Sequence, residues 1–206
     1  MKQLVIILIS LSIFSCKNNS KDNIFDLIQQ KGINEVVLPN YPLWVFNRLS
    51  FEQSINNFKN KPVYEIARTS SDESAYVLLE DIPIEYGHKY KFSIIVKKPE
   101  KTGFFGLKIV DVYPERIDVV FDLEHKLVKG IEGSAEFASS SRASIRELQD
   151  GWLECSLISN YFSDKIQIIF GPTSRSPKTA TWEVKTRDSS NNYIVPSSLI
   201  LENLFD

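Results

Sequence analysis

The stretch YKFSIIVK, Tyr90 to Lys97, decides how this chain is read. Side chains alternate between the two faces of a strand, so Tyr90, Phe92, Ile94 and Val96 point one way and Lys91, Ser93, Ile95 and Lys97 the other. Four large apolar side chains on one face and mostly polar ones on the other predict a half-buried strand. Ile95 is the one apolar residue on the wetter face.

Working outward, the same period of two recurs between turn signals. It predicts strands over Leu43–Asn47, Val63–Thr69, Tyr76–Leu79, Gly106–Val112, Arg116–Leu123, Ala135–Ala138 and Ala143–Leu148. Four more are predicted over Trp152–Ile158, Ile166–Gly171, Thr181–Thr186 and Ser198–Leu201. Runs such as TSSDES, EYGH, KPEKTG, LQDG and TRDSSNN separate many of them. Many short strands with no helices between them indicate an all-β sandwich or barrel. Abundant Phe, Tyr, Ile and Val agree with that, and glycine and methionine are scarce.

The segment GHKYKFSIIVK (87–97) resembles the G-x-x-Y-x-F-S-x-x-x-K strand of galactose-binding-like jelly-roll domains related to carbohydrate-binding modules. Three further features match in order: Phe121-Asp122-Leu123 before a turn, Gly151-Trp152 opening a strand, and SSLILENL closing on Glu202. The match covers roughly residues 40 to 203. It departs at the last strand, where Ile200 replaces a common Gln and Pro196-Ser197 replace a common aromatic. The resemblance implies a jelly-roll β-sandwich over residues 39–206. It also implies structural roles for Gly87, Tyr90, Phe92 and a buried Trp152.

A binding role follows from the resemblance, not from the motifs themselves. Sugar sites place aromatic rings against the apolar face of a pyranose and polar side chains against its hydroxyls; Tyr and Trp suit this because each joins a broad apolar face to a polar edge. The candidates are Trp44, Tyr113, Tyr161 and Trp182, with Arg142 and Arg187 as polar clamps. Trp182 shares a face with Val184 in TATWEVKTR, a pattern that core packing would use equally. Modules of this kind often hold a structural calcium ion. Glu202 and Asn203 could contribute ligands, but no contiguous ligand loop is present, so no metal or other cofactor is assigned.

The N-terminus has its own logic. Lys2 precedes an apolar run from Leu4 to Phe14, which ends at Ser15-Cys16 and gives way to KNNSKDN. A charged start, a short apolar core and a small residue before a cut site describe a secretory signal; a bilayer span would need about 20 apolar residues. Ile13-Phe14-Ser15-Cys16 resembles a bacterial lipobox, which implies a signal peptide over 1–15 and lipid, palmitate included, on Cys16. Each buried lipid CH₂ contributes about 0.8 kcal/mol, so several chains anchor stably. Residues 16–38 then read as a tether and a short helix, with Asp22 or Asn23 as cap and Gly32 at its end. Lys17, not Asp, follows Cys16, which favours an outer-membrane lipoprotein of a Gram-negative bacterium.

The other cysteine, Cys155, alternates with Leu153 and Leu157 and reads as a buried, inert thiol. Net charge is −2 with no basic cluster, which argues against nucleic acid. No H-E-x-x-H, G-x-S-x-G, P-loop or paired-cysteine motif occurs. The sequence thus predicts a non-catalytic, lipid-anchored envelope module for a polysaccharide or glycan. The alternatives are a lipoprotein that uses the sandwich to hold a protein partner in an envelope assembly, and a glycosidase, which needs only two carboxylates about 5–10 Å apart.

Overall fold

The structure is a computed structural model that describes residues 35–70, 73–98, 103–112, 114–173 and 191–204. Chain contacts gather into two units, residues 1–33 and 34–206, and every described residue belongs to the second. The expected signal peptide, Cys16, the short helix, the strand over Thr181–Thr186, Tyr113, Trp182 and Arg187 all lie outside the described residues.

The described unit is a β-sandwich of two antiparallel sheets. One sheet runs in the order β10 (Arg142–Glu147), β11 (Leu153–Asn160), β6 (Lys89–Lys97), β13 (Asn191–Asn203), β4 (Lys61–Arg68), β3 (Leu49–Phe58), with β1 (Glu35–Val36) also on β13. The other runs β2 (Val45–Asn47), β5 (Tyr76–Pro83), β12 (Lys165–Pro172), β7 (Phe104–Val110), β8 (Arg116–Asp122), β9 (Leu127–Gly133). Neighbours in each sheet are mostly distant in sequence, so the fold is an all-β jelly-roll sandwich.

The β6 alternation is realised as read. Tyr90, Phe92, Ile94 and Val96 are buried in the main core. Register carries that phase sideways, because Leu153, Cys155 and Leu157 of β11 stand opposite Val96, Ile94 and Phe92. From the facing sheet come Phe105, Leu107 and Ile109, then Ile117, Val119 and Phe121, and then Ile166, Ile168 and Phe170. The two inner faces together exclude water from an apolar layer, which is the main stabilising term.

Ile95, the exception on the polar face, also has a reason. A second cluster of Phe58, Val63, Trp152 and Val195 lies on the outer face of that sheet, and Ile95, Leu148 and Tyr193 pack against it. Trp152 is buried there, 5.3 Å from the Phe58 ring, with the Lys97 ammonium 5.6 Å from its own ring. The Lys59-Asn60 turn brings Phe58 back over the sheet. Both turn residues have positive φ, the condition of a type I′ hairpin.

Several elements differ from the sequence reading. The expected strand over Ala135–Ala138 is instead part of a one-turn-plus helix, α1 (Ala135–Ser140). Alanine and glutamate are good helix formers, and short-range alternation cannot express that. Tyr41–Leu43 forms a 3₁₀ turn, so β2 begins at Val45. The strands β3 and β9 were not anticipated: β3 is largely polar, and β9 contains Gly130 and Gly133. Residues 35 and 36, expected in the tether, pair with Leu201 and Glu202 and so begin the sandwich before residue 39.

The last strand is longer than expected, and Pro196 explains its irregularity. Proline cannot donate to a ladder, and β13 is central, so the register against β6 shifts between Val195 and Ile200. Ser198 fills the gap. Its hydroxyl donates to the Val195 carbonyl (2.6 Å) and accepts from the Ile95 N–H (2.8 Å).

Candidate functional site

One end of the sandwich carries the loops that build a pocket. The β7–β8 connection turns back on itself: the Asp111 N–H donates to the Glu115 carbonyl (3.0 Å), and the Glu115 N–H donates to the Val112 carbonyl (2.8 Å). Helix α1 follows β9 at the same end. The segment after β11 is tied to the turn before β6, because the Tyr161 N–H donates to the His88 carbonyl (3.0 Å) and the Gly87 N–H to the Tyr161 carbonyl (2.8 Å). Gly87 has φ +78°, a left-handed conformation that costs glycine little.

Between these loops lies a cavity of about 450 Å³. Phe137 and Phe162 supply its aromatic walls, Val112 an apolar edge, and Asp111, Glu115, Ser140 and Asn160 its polar groups. Phe162 is 53 % exposed and meets the 70 % exposed Tyr86 edge to face, with ring centroids 6.0 Å apart. Exposure of two large rings side by side is unusual for a surface with no partner.

Asp111 is the centre of the polar wall. One carboxylate oxygen, Oδ2, accepts from the Phe162 N–H at 2.8 Å, which fixes the side chain against the loop that carries the exposed ring. The other, Oδ1, is buried with no hydrogen-bond partner. A buried unpaired acceptor costs about 1–3 kcal/mol, more for a charged group; the buried Tyr161 hydroxyl, also without a hydrogen-bond partner, is a group on which the Asp111 charge acts. Glu115 is held by the Ser134 hydroxyl, which donates to Oε2. The Ser140 hydroxyl donates to the Phe137 carbonyl (3.0 Å) and keeps its oxygen available as an acceptor. Among the described residues, no lysine, arginine or histidine lines the cavity.

Two of the aromatic candidates do not present rings to solvent. Trp44 is 6 % exposed, with its indole N–H donating to the Pro39 carbonyl (2.8 Å) and its ring edge-on to Phe170 at 5.4 Å. Tyr161 is fully buried against Tyr90 and Phe137. Its phenol pKa is pushed up by burial and further by the charge of Asp111. Tyr161 therefore supports the pocket from behind, and its neighbour Phe162 takes the outward position. Tyr113 lies outside the described residues. Arg142 is an exposed residue of the edge strand β10.

Sequence reasoning missed Tyr86 and Phe162. The usable signal was that Tyr86 sits in the EYGH turn, and Phe162 stands just beyond a strand, out of phase with any core face.

Several other polar groups are paired internally. On the outer face of the six-stranded sheet, Asp118 pairs with Lys108 (3.4 Å) and Arg116 (3.3 Å), and the Lys108 and Asp118 side chains are buried. The amide of Asn203 contacts His88 Nδ1 at 2.9 Å. Among the described residues, no group of three His, Cys, Asp or Glu is placed to hold a metal ion. Cys155 is buried and free, and its pKa is raised by burial first and by the Glu154 charge second, so it is a poor nucleophile.

No family model and no curated protein matches the chain at a significant level. Among solved structures, it is similar to the CBM22-1–GH10 modules of the Clostridium thermocellum endo-1,4-beta-D-xylanase 10B complexed with xylohexaose, with TM-score 0.45 and 15 % identity. That likeness covers 84 % of this chain and 29 % of the other, so this chain spans less than a third of that structure's length. It is also similar to TmCBM27, a carbohydrate-binding module with specific mannan recognition, with TM-score 0.40 and 10 % identity over 84 % of this chain and 98 % of that one.

Proposed function

We propose that this chain is a non-catalytic binding module that holds a glycan at the bacterial cell envelope. The observation that carries the reading is the exposed Tyr86–Phe162 pair beside a cavity of about 450 Å³ whose lining includes Asp111 and Glu115. A pyranose offers an apolar C–H face to a ring and hydroxyl donors to a carboxylate, and this pocket has both complements. The volume suits one or two sugar rings. The lipobox-like Ile13-Phe14-Ser15-Cys16 supports lipid attachment at Cys16, and Lys17 supports delivery to an outer membrane.

The test is a binding screen of the full chain, purified in detergent, against soluble polysaccharides and a glycan array, with calcium and with EDTA. A saturable ligand whose binding drops at least tenfold in Phe162→Ala, with the fold intact by circular dichroism, supports the reading. Binding that is indifferent to Phe162→Ala and Tyr86→Ala removes this pocket from it.

A second reading has its own observation. Val37, Tyr41, Leu43 and Val45 are 41, 36, 74 and 48 % exposed within nine residues of chain, an apolar surface of the kind a protein partner covers. A blank glycan screen, with an envelope protein cross-linked through positions 37–45, would favour that role.

A further inference from the structure

We infer that the ligand of the Asp111 pocket carries a positive charge, and that on a glycan this charge is the free amine of an amino sugar. The inference rests on the glycan reading above and narrows it to one chemical class. Three properties of the cavity point the same way.

The first is the charge of the wall. Two carboxylates, Asp111 and Glu115, line the cavity, and among the described residues no cationic side chain does. Three nearby cations are engaged on other carboxylates: Arg116 and Lys108 on Asp118, and Lys165 on Asp81. Two carboxylates on one wall would repel a uronate or sulfated sugar.

The second is the bonding demand. Asp111 has one described donor in the Phe162 N–H, Glu115 one in Ser134, and the Ser140 hydroxyl has already given its proton to a backbone carbonyl. The wall asks for N–H or O–H donors. An ammonium has three and no acceptor, and a charged donor bonded to a carboxylate is roughly twice as strong as a neutral pair.

The third is the aromatic component. Ring faces carry negative quadrupole potential and attract cations. Phe162 and Phe137 line the cavity, and Tyr86 stands against Phe162. Carboxylates with aromatic walls form a site for an amine more than for a sugar recognised by hydroxyls alone.

The test is calorimetric titration of the full chain in detergent with four probes at fixed ionic strength. These are a β-1,4-glucosamine tetramer, its fully N-acetylated counterpart, a galacturonate tetramer, and 1,5-diaminopentane as an amine without sugar. Acetylation removes the charge and keeps the sugar, so the deacetylated tetramer should bind at least tenfold tighter than the acetylated one. The galacturonate should not bind. Asp111→Asn keeps an acceptor for the Phe162 N–H, and Glu115→Gln keeps one for Ser134. Each should bring the two glucosamine tetramers to within about threefold of one another.

Equal or tighter binding of the acetylated or acidic tetramer, still dependent on Phe162, overturns the charge inference and leaves the glycan reading standing. Binding of the diamine that is lost in Asp111→Asn, without binding of any tetramer, overturns the glycan reading and supports the charge. Binding of none of the four overturns the charge inference, while the glycan reading is decided by the array screen.

Discussion

Asp122 lies in the Phe121-Asp122-Leu123 motif at the end of β8, and replacing it with alanine should be expensive for a polar residue. Its Oδ1 accepts from the backbone N–H groups of Glu124 (3.1 Å) and His125 (3.0 Å), and Oδ2 contacts His125 Nδ1 at 2.9 Å. The carboxylate thus closes the turn between β8 and β9, while only about 5 % of the side chain is exposed. Hydrogen bonds to a charged acceptor contribute about 1.5–3 kcal/mol each, but Glu124 and His125 are themselves exposed and water can replace part of what is lost, so about 3 kcal/mol is expected in total. For a domain of this size that corresponds to a fall in Tm of roughly 6–12 °C. The pH dependence adds a second criterion. Burial alone would raise the carboxyl pKa, but the donors from His125 and Glu124 outweigh it and hold it below the ordinary aspartate value. A depressed folded pKa means stabilisation that is present above the unfolded pKa and lost as pH falls through the folded one. The gap between the wild type and Asp122→Asn should therefore shrink below about pH 4, near the unfolded aspartate pKa. Urea unfolding followed by circular dichroism, at pH 7 and in steps down to the acid limit of the native state, measures both. A cost for Asp122→Ala under about 0.5 kcal/mol, within the range of an ordinary surface substitution, would refute the reasoning. So would a gap for Asp122→Asn that does not change with pH.

Trp152→Ala should cost about 3–5 kcal/mol in urea unfolding, since it empties the centre of the outer-face cluster against Phe58. Ser198→Ala should cost about 1–3 kcal/mol by leaving the Ile95 N–H without its acceptor, and hydrogen exchange at Ile95 should accelerate. Cys16→Ser should move the protein from the membrane to the soluble fraction and abolish incorporation of labelled palmitate. In that variant Cys155 should react with a thiol reagent only after denaturation, because it is buried and its thiolate is disfavoured.

The readability of each element follows from how local its causes are. β6 was legible because both of its faces are committed: one enters the main core, and the other mixes solvent with a small cluster. Where commitment is weaker, the pattern fades. In β3 the register shifts between Gln53 and Asn57, which breaks the alternation partway along, and Ile55 is left almost fully exposed. In α1 a six-residue helix was mistaken for a strand because neither period has room to declare itself. Pro196 looked like a departure from a strand and is accommodated by a bulge that a serine hydroxyl completes. Among the candidate rings, Trp44 and Tyr161 were named for their residue types. What distinguishes them from Tyr86 and Phe162 is the packing of other segments over them, and no residue type encodes that.

The sequence by itself determined the fold class, the phase of the central strand and the buried state of Cys155, because alternation and apolar content act over a few residues. It also contains the lipobox-like segment, whose meaning is read from residues in immediate succession. The tertiary structure decided which rings face solvent and that Asp111, Glu115, Ser140 and Asn160 share one cavity. Those residues come from three separate parts of the chain, and only the closing of two sheets brings their loops to the same end. A carboxylate oxygen left without a donor is a property of that closure, since it depends on what every neighbouring loop fails to supply.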